Sequence, residues 1–116
     1  GYALTQVSVY TATKGAVGQL TKSQAIEFGK ENIQVNAICP GFVVTPLTDK
    51  IWSDETMKKW VEPRLAAGRL ATPKDMAGPA AFLASPASDY VTGQVIYVDG
   101  GFMAGDNWPL PGAATT

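Results

Sequence analysis

The alternation of apolar and polar positions divides the chain into a long helix, a strand, a looser middle, a second helix and a closing strand. The helical pattern runs from about Val9 to Lys30. There Ala16, Leu20, Ala25, Ile26 and Phe28 supply apolar positions, and Lys22, Glu27 and Lys30 supply polar ones. Gly15 and Gly18 fall inside this helix. Each costs about 1 kcal/mol of helix propensity relative to Ala, so close approach by another helix or a ligand is expected there. Glu31-Asn32 breaks the pattern. Ile33-Gln34-Val35-Asn36-Ala37-Ile38-Cys39 then alternates before turning apolar, which predicts a short, buried, parallel strand stopped by Pro40-Gly41.

From Phe42 to Arg69 the periodicity loosens. Thr45-Pro46 predicts a turn, and Ser53-Asp54-Glu55 reads as an N-cap followed by acids. A short helix through Met57, Trp60 and Val61 follows, disturbed by Pro63. Thr72-Pro73-Lys74-Asp75 starts a further helix with a hydroxyl cap, Pro at the first position and an acid near the third; it runs through Met76, Ala80, Phe82 and Leu83 to Ser85-Pro86. Tyr90-Val91-Thr92-Gly93 turns into Gln94-Val95-Ile96-Tyr97-Val98, the most strand-like run in the chain. Asp99-Gly100-Gly101 closes it in a turn that needs unusual backbone angles. Residues 102–116, rich in Gly, Pro, Ala and Thr, read as a loosely ordered tail in which Trp108 and Leu110 could anchor on a neighbour. A helix feeding a strand, then helices feeding another strand, predicts an α/β fold with a parallel sheet.

Composition narrows the chemistry. With 116 residues the chain is one domain at most. Nine Lys plus Arg against ten Asp plus Glu give a net charge of −1, with no basic run to follow a phosphate backbone, so nucleic acid is not an expected partner. No apolar stretch reaches membrane-spanning length and no signal peptide is evident, which predicts a soluble, cytoplasmic protein with no membrane contact. Histidine is absent and Cys39 is the only cysteine. A Ser-His-Asp or Cys-His hydrolase and an internal disulfide are therefore excluded, and no metal site is expected. Proton chemistry is left to Tyr, Lys, carboxylates or water. The chain begins at Gly1 and enters a helix almost at once, so it reads as a piece of something longer.

One pair fits that chemistry. Tyr10 and Lys14 are four residues apart at the start of the first helix, which places them on one face about 5–6 Å apart at Cβ. A cation there favours the phenolate over the phenol, whose ordinary pKa is about 10, and makes a tyrosine usable as an acid or base near neutrality. Alone, the pair reads equally well as a solvated contact on a helix surface.

Three later stretches supply context: Gln34-Val35-Asn36-Ala37-Ile38-Cys39-Pro40-Gly41, Thr45-Pro46 and Asp99-Gly100-Gly101, with Gly68-Arg69-Leu70-Ala71-Thr72-Pro73 between. In this order behind Tyr10 and Lys14, they resemble the carboxyl-terminal half of the short-chain dehydrogenase/reductase family. The resemblance implies the C-terminal part of a Rossmann-type, doubly wound parallel sheet over residues 1–101, with a substrate loop at about 42–69 and a tail at 102–116. It implies hydride transfer between NAD or NADP and a small alcohol or carbonyl substrate, with Tyr10 as general acid/base. Lys14 would assist Tyr10 and bind the nicotinamide ribose, and Tyr10 too would belong to the cofactor site. Pro40 and Gly41 would face the nicotinamide, with the Val43 backbone and Thr45 hydroxyl holding its carboxamide. It also implies a homo-dimer or homo-tetramer, with the first helix packed on its copy through Ala12, Gly15, Ala16 and Gly18. Asn36 and Asp99-Gly100-Gly101 read as structural.

The chain departs from the family in what it lacks. The serine that precedes the tyrosine by about a dozen residues in the family, the glycine-rich phosphate loop, the catalytic asparagine and the residue that chooses between NAD and NADP all fall outside it. Ser8 is too close to Tyr10 to replace the serine. An oxidoreductase fragment, inactive by itself, is expected; the alternative is a non-catalytic remnant or association module without cofactor. Phe42, Leu47, Ile51, Trp52 and Trp60 would give the substrate loop an apolar face, or serve as ordinary core.

Overall fold

The computed structural model describes residues 4–112; the outer ends of the predicted entry loop and tail lie outside them. Helix α1 spans Ser8–Phe28 and tightens into a 3-10 turn at Gly29–Glu31. Asn32 ends it in the left-handed conformation, φ 57°, with its N–H on the Gly29 carbonyl, a role its short polar side chain tolerates. Strand β1, Ala37–Pro40, pairs in parallel with strand β2, Val95–Val98, in the register Ala37 to Val95 and Pro40 to Val98. Between them lie α2 (Asp49–Trp52), α3 (Glu55–Val61) and α4 (Ala77–Leu83). A strand, a helical crossover and a parallel strand form the unit from which doubly wound sheets are built.

Strand β1 starts four residues later than the alternation from Ile33 predicts. The reason is the polar side chains in that alternation. Asn36 Nδ2 donates to the Val91 carbonyl at 2.8 Å, and its Oδ1 accepts from the Gln94 N–H at 3.0 Å. Gln34 Nε2 reaches the Asp89 carbonyl at 3.2 Å, and the Val35 N–H donates to the Thr92 hydroxyl at 3.1 Å. The Gly93 N–H also donates to the Val35 carbonyl at 2.7 Å, so residues 33–36 are tied to the loop before β2 by side chains and one backbone bond rather than by a regular ladder. Both strands are half-buried rather than buried.

The middle segment holds the core. Trp52, Val61 and Leu65 are buried, with Phe42, Val44, Met57, Trp60, Leu70 and Phe102 packed against them. Phe42 stands edge-on to Trp52, Trp60 and Phe102 at centroid distances of 5.2, 6.0 and 4.9 Å, the geometry that aromatic quadrupoles favour. Asp54, not Ser53, caps α3, accepting from the Met57 N–H at 3.0 Å. Pro63 is absorbed in a 3-10 turn over Glu62–Arg64. Thr72 and Asp75 form a reciprocal capping box with Pro73 at the first position, as the sequence predicts. Arg69 grips the Asp75 carboxylate with two nitrogens, each at 2.8 Å.

Much apolar surface stays open. The accessible area is 8819 Å², against about 6,100 Å² for a compact protein of this mass. The radius of gyration is 16.9 Å, against about 13 Å for a compact chain of this length. Along α1, Val9, Val17, Leu20 and Ile26 are all more than half exposed. Among the described residues, no helix is long and apolar enough to cross a membrane.

Candidate active site

The orientation of α1 decides where Tyr10 and Lys14 lie. A Cβ on Gly18 would sit 3.8 Å from Val95 Cγ2, and one on Gly93 would sit 3.4 Å from Ala25 Cβ. Moving forward along the helix from 18 to 25 therefore moves backward along β2, so the helix runs antiparallel to both strands. Gly18 faces a strand rather than a helix, at a distance where a Cβ would make ordinary van der Waals contact; at Gly15 a Cβ would meet nothing within 4 Å among the described residues.

Tyr10 lies eight residues before Gly18, about 12 Å along the axis. Val98 and its register partner Pro40 lie about 10 Å along the strands from Val95 and Ala37. Tyr10 and Pro40 thus stand at the same end of the sheet, outside the carboxyl ends of the strands, where α/β folds bind ligands. Tyr10, Lys14, Gly18, Thr21 and Ala25 form one stripe at helical spacing, and its downstream members Thr21 and Ala25 are buried. Its upstream members run past the sheet, leaving Tyr10 62% exposed. Lys14 Nζ lies 5.2 Å from the centroid of the Tyr10 ring, which confirms the shared face.

Pro40 ends β1 at a position whose N–H would face away from β2, so its lack of a donor costs this ladder nothing; the Gly41 N–H then donates to the Val98 carbonyl at 3.1 Å. Glycine at 41 answers to packing: a Cβ there would stand 2.8 Å from both Cα and Cβ of Asp99. Asp99 is fixed in turn, its carboxylate accepting from the Gly101 and Met103 N–H groups at 3.0 Å each. Gly100 and Gly101 take φ values of 62° and 90°, the unusual angles the sequence predicts for this turn.

Beyond Gly41, Phe42 and Val44 bond the backbone of Ala71, and Val43 bridges in parallel to Ala71. The Val43 N–H meets no acceptor among the described residues. Thr45 and Thr48 lock together: the Thr45 N–H donates to Thr48 Oγ1 at 2.9 Å, the Thr48 N–H to Thr45 Oγ1 at 3.2 Å, and the hydroxyls stand 3.1 Å apart. A free backbone donor at 43 and a hydroxyl at 45 suit a flat carboxamide, which carries one acceptor and one amino group. The predicted residues thus form two groups, Tyr10 with Lys14 and Pro40 to Thr45, with no hydrogen bond between them among the described residues. Thr48 was missed by sequence reasoning; its only signal is the spacing Thr45-Pro46-Leu47-Thr48.

The aromatics assigned to a substrate face divide differently. Phe42, Trp52 and Trp60 belong to the core cluster, whereas Leu47 is 89% exposed. A concavity of ≈ 170 Å³ lined by Phe42, Leu65, Arg69, Ala71, Asp75 and Asp99 contains none of Tyr10, Lys14, Val43 or Thr45. It is also smaller than ordinary ligand pockets of about 300–1,000 Å³.

Residues 2–103 match the family model described as enoyl-(acyl carrier protein) reductase. The chain belongs to the short-chain dehydrogenase/reductase family. It is 48% identical over 99 residues to 2-dehydro-3-deoxy-D-gluconate 5-dehydrogenase of Dickeya dadantii, covering 85% of this chain and 39% of that protein. It is 46% identical over 101 residues to a tropinone reductase homolog of Arabidopsis thaliana, covering 87% and 38%. Among solved structures, gluconate 5-dehydrogenase of Burkholderia cenocepacia in complex with NADP and tartrate superposes with a TM-score of 0.86 at 38% identity, covering 90% of this chain and 41% of that one. The fold is therefore that of Rossmann-type members of the family, and the chain spans roughly two-fifths of these relatives' length.

Proposed function

We propose that residues 1–101 are the carboxyl-terminal half of an NAD(P)-dependent oxidoreductase, with a substrate loop at about 42–69 and a tail beyond. It would move a hydride between nicotinamide and a small alcohol or carbonyl carbon. The observation that carries this reading is the placement of Tyr10 and Lys14 at the carboxyl end of the sheet, the end where Gly41 to Thr45 leave β1. Bound cofactor supplies the hydride acceptor or donor. This chain's part is proton transfer and orientation: the Tyr10 hydroxyl gives or takes the proton of the substrate oxygen. The Lys14 ammonium, a compact charge with three donors, stabilises the phenolate and reaches ribose hydroxyls. The Val43 N–H and Thr45 hydroxyl hold the carboxamide, with Pro40 and Gly41 beside the ring.

The relatives' names make a sugar acid such as gluconate the first substrate to assay. Placement of Phe42, Trp52 and Trp60 in the core removes the main support for an apolar substrate face. The test is Tyr10→Phe in the full-length protein. Loss of the acid/base should lower kcat by about 10²–10⁴-fold while cofactor affinity changes little. Near-normal kcat would sink the assignment. Absence of NAD(H) and NADP(H) binding by the unaltered full-length protein would instead favour a non-catalytic association module, for which the open apolar surface of α1 is the supporting observation.

A further inference from the structure

We propose that Thr48 is a positioning residue for nicotinamide. It holds the Thr45 hydroxyl with its proton turned away and one lone pair free to accept from the carboxamide amino group. The inference rests on the reading of Val43 and Thr45 above and goes on to say what makes Thr45 competent.

The argument is a proton count. Thr48 Oγ1 stands 2.7 Å from the Val43 carbonyl oxygen, which can only accept, so the single Thr48 hydroxyl proton is committed there. Thr48 Oγ1 also accepts from the Thr45 N–H at 2.9 Å. In the 3.1 Å contact between the hydroxyls the proton must therefore come from Thr45. Thr45 Oγ1 already accepts from the Thr48 N–H at 3.2 Å, a donor it shares with the Thr45 carbonyl at 3.1 Å. With its proton spent on Thr48 and one lone pair used, the Thr45 hydroxyl retains one lone pair and no donor. It has become a pure acceptor.

An unrestrained threonine hydroxyl would rotate and could present either a proton or a lone pair to a ligand. Pro46 strengthens the restraint. It favours extended backbone at Thr45, fixes its own φ, and offers no N–H to compete for Thr45 Oγ1. The Thr48 bond to the Val43 carbonyl fixes the backbone on the other side of Thr45, at the residue whose N–H has no acceptor among the described residues. The segment thus presents a donor at 43 and an acceptor at 45, complementary in polarity to the oxygen and amino group of a carboxamide. A carboxylate in place of the amide would meet the Thr45 lone pair unfavourably.

The test measures binding to the full-length protein by cofactor fluorescence and calorimetry, with ADP-ribose, or its 2′-phosphate form for an NADP-binding protein, as the ligand lacking nicotinamide. Thr48→Val keeps the shape and removes the hydroxyl. Its affinity for NAD(P)H should fall about tenfold while ADP-ribose affinity stays within about twofold. Thr48→Ser should restore both. The 3-acetylpyridine analogue, which has no amino group, should lose little affinity in Thr48→Val. In a Thr45→Val background the second substitution should add nothing, because Thr48 acts through Thr45. Unchanged NAD(P)H affinity, a parallel fall with ADP-ribose, or additive losses in the double variant would each overturn the proposal. If Thr48→Val does not fold, Thr48→Ala takes its place as the variant without a hydroxyl, with Thr48→Ser again the restoring one. If the unaltered protein binds ADP-ribose and NAD(P)H equally well, the assignment of Val43 and Thr45 fails, and this inference with it.

Discussion

Gly41 separates two explanations for the same residue, one from packing and one from ligand approach. In Gly41→Ala the new Cβ would stand 2.8 Å from Cα and Cβ of Asp99 and 3.3 Å from its carbonyl carbon. Carbon atoms at rest approach to about 3.5–4.0 Å, so the strand ends must part by about 0.7 Å. Two of those atoms are backbone, and Asp99 is pinned by its bonds to the Gly101 and Met103 N–H groups, so no rotamer change relieves the clash. Overpacking of this kind costs about 1–3 kcal/mol. In a protein of 150–250 residues that corresponds to a drop of about 2–12 °C in Tm. The assay is thermal unfolding of the full-length protein without cofactor, beside a measurement of cofactor affinity. An unchanged Tm with lost affinity would refute the packing argument and make glycine a requirement of the ligand.

Two further outcomes follow from the hydrogen bonding. Asn36→Ala should cost about 1–3 kcal/mol in urea unfolding, because it strips the Val91 carbonyl and the Gln94 N–H of their partner at the amino ends of the strands; an unaltered midpoint would mean that water replaces the amide. The Asp75 carboxyl is held well below its ordinary range, first by the Arg69 hydrogen bonds and then by the Thr72 N–H. Its folded pKa is depressed, so the stabilisation is complete above the unfolded value of about 4 and fades as pH falls below it. The Tm difference between the unaltered protein and Asp75→Asn should accordingly be constant from pH 7 to 5 and shrink below pH 4. A pH-independent difference would contradict the linkage.

Local chemistry was legible in the sequence where a residue acts on near neighbours. The capping box at Thr72, the glycine turn at 100–101 and the face shared by Tyr10 and Lys14 are consequences of spacing, and each is present. The family was legible for a related reason, since its motifs are short and ordered along the chain. What depends on the opposing strand was not. Alternation at Ile33–Asn36 looks like a strand, but Gln34 and Asn36 bond a loop some 55 residues away. Gly41 was read for a ligand because its neighbour Asp99 is distant in sequence. The apolar positions at Leu20 and Ile26 were visible, yet Gly18, Thr21 and Ala25 make the face toward the sheet, since close contact there favours small side chains over large ones.

That division of α1 links stability to chemistry. Its small-residue stripe runs from the sheet to Lys14 and Tyr10, while its larger apolar residues face outward and stay open. A parallel sheet is stable when both faces are covered, and the accessible area exceeds that of a compact chain by about 2,700 Å². Under the proposed reading, the rest of the protein and a second copy of α1 cover that surface. The cover that stabilises the helix would then also exclude water around its amino-terminal turns. With Tyr10 62% exposed, a neighbouring ammonium acts on it through a high dielectric. Under the proposed reading, desolvation would strengthen that interaction. Assembly and activity should therefore appear together: dilution that dissociates the copies should lower kcat before it unfolds the sheet.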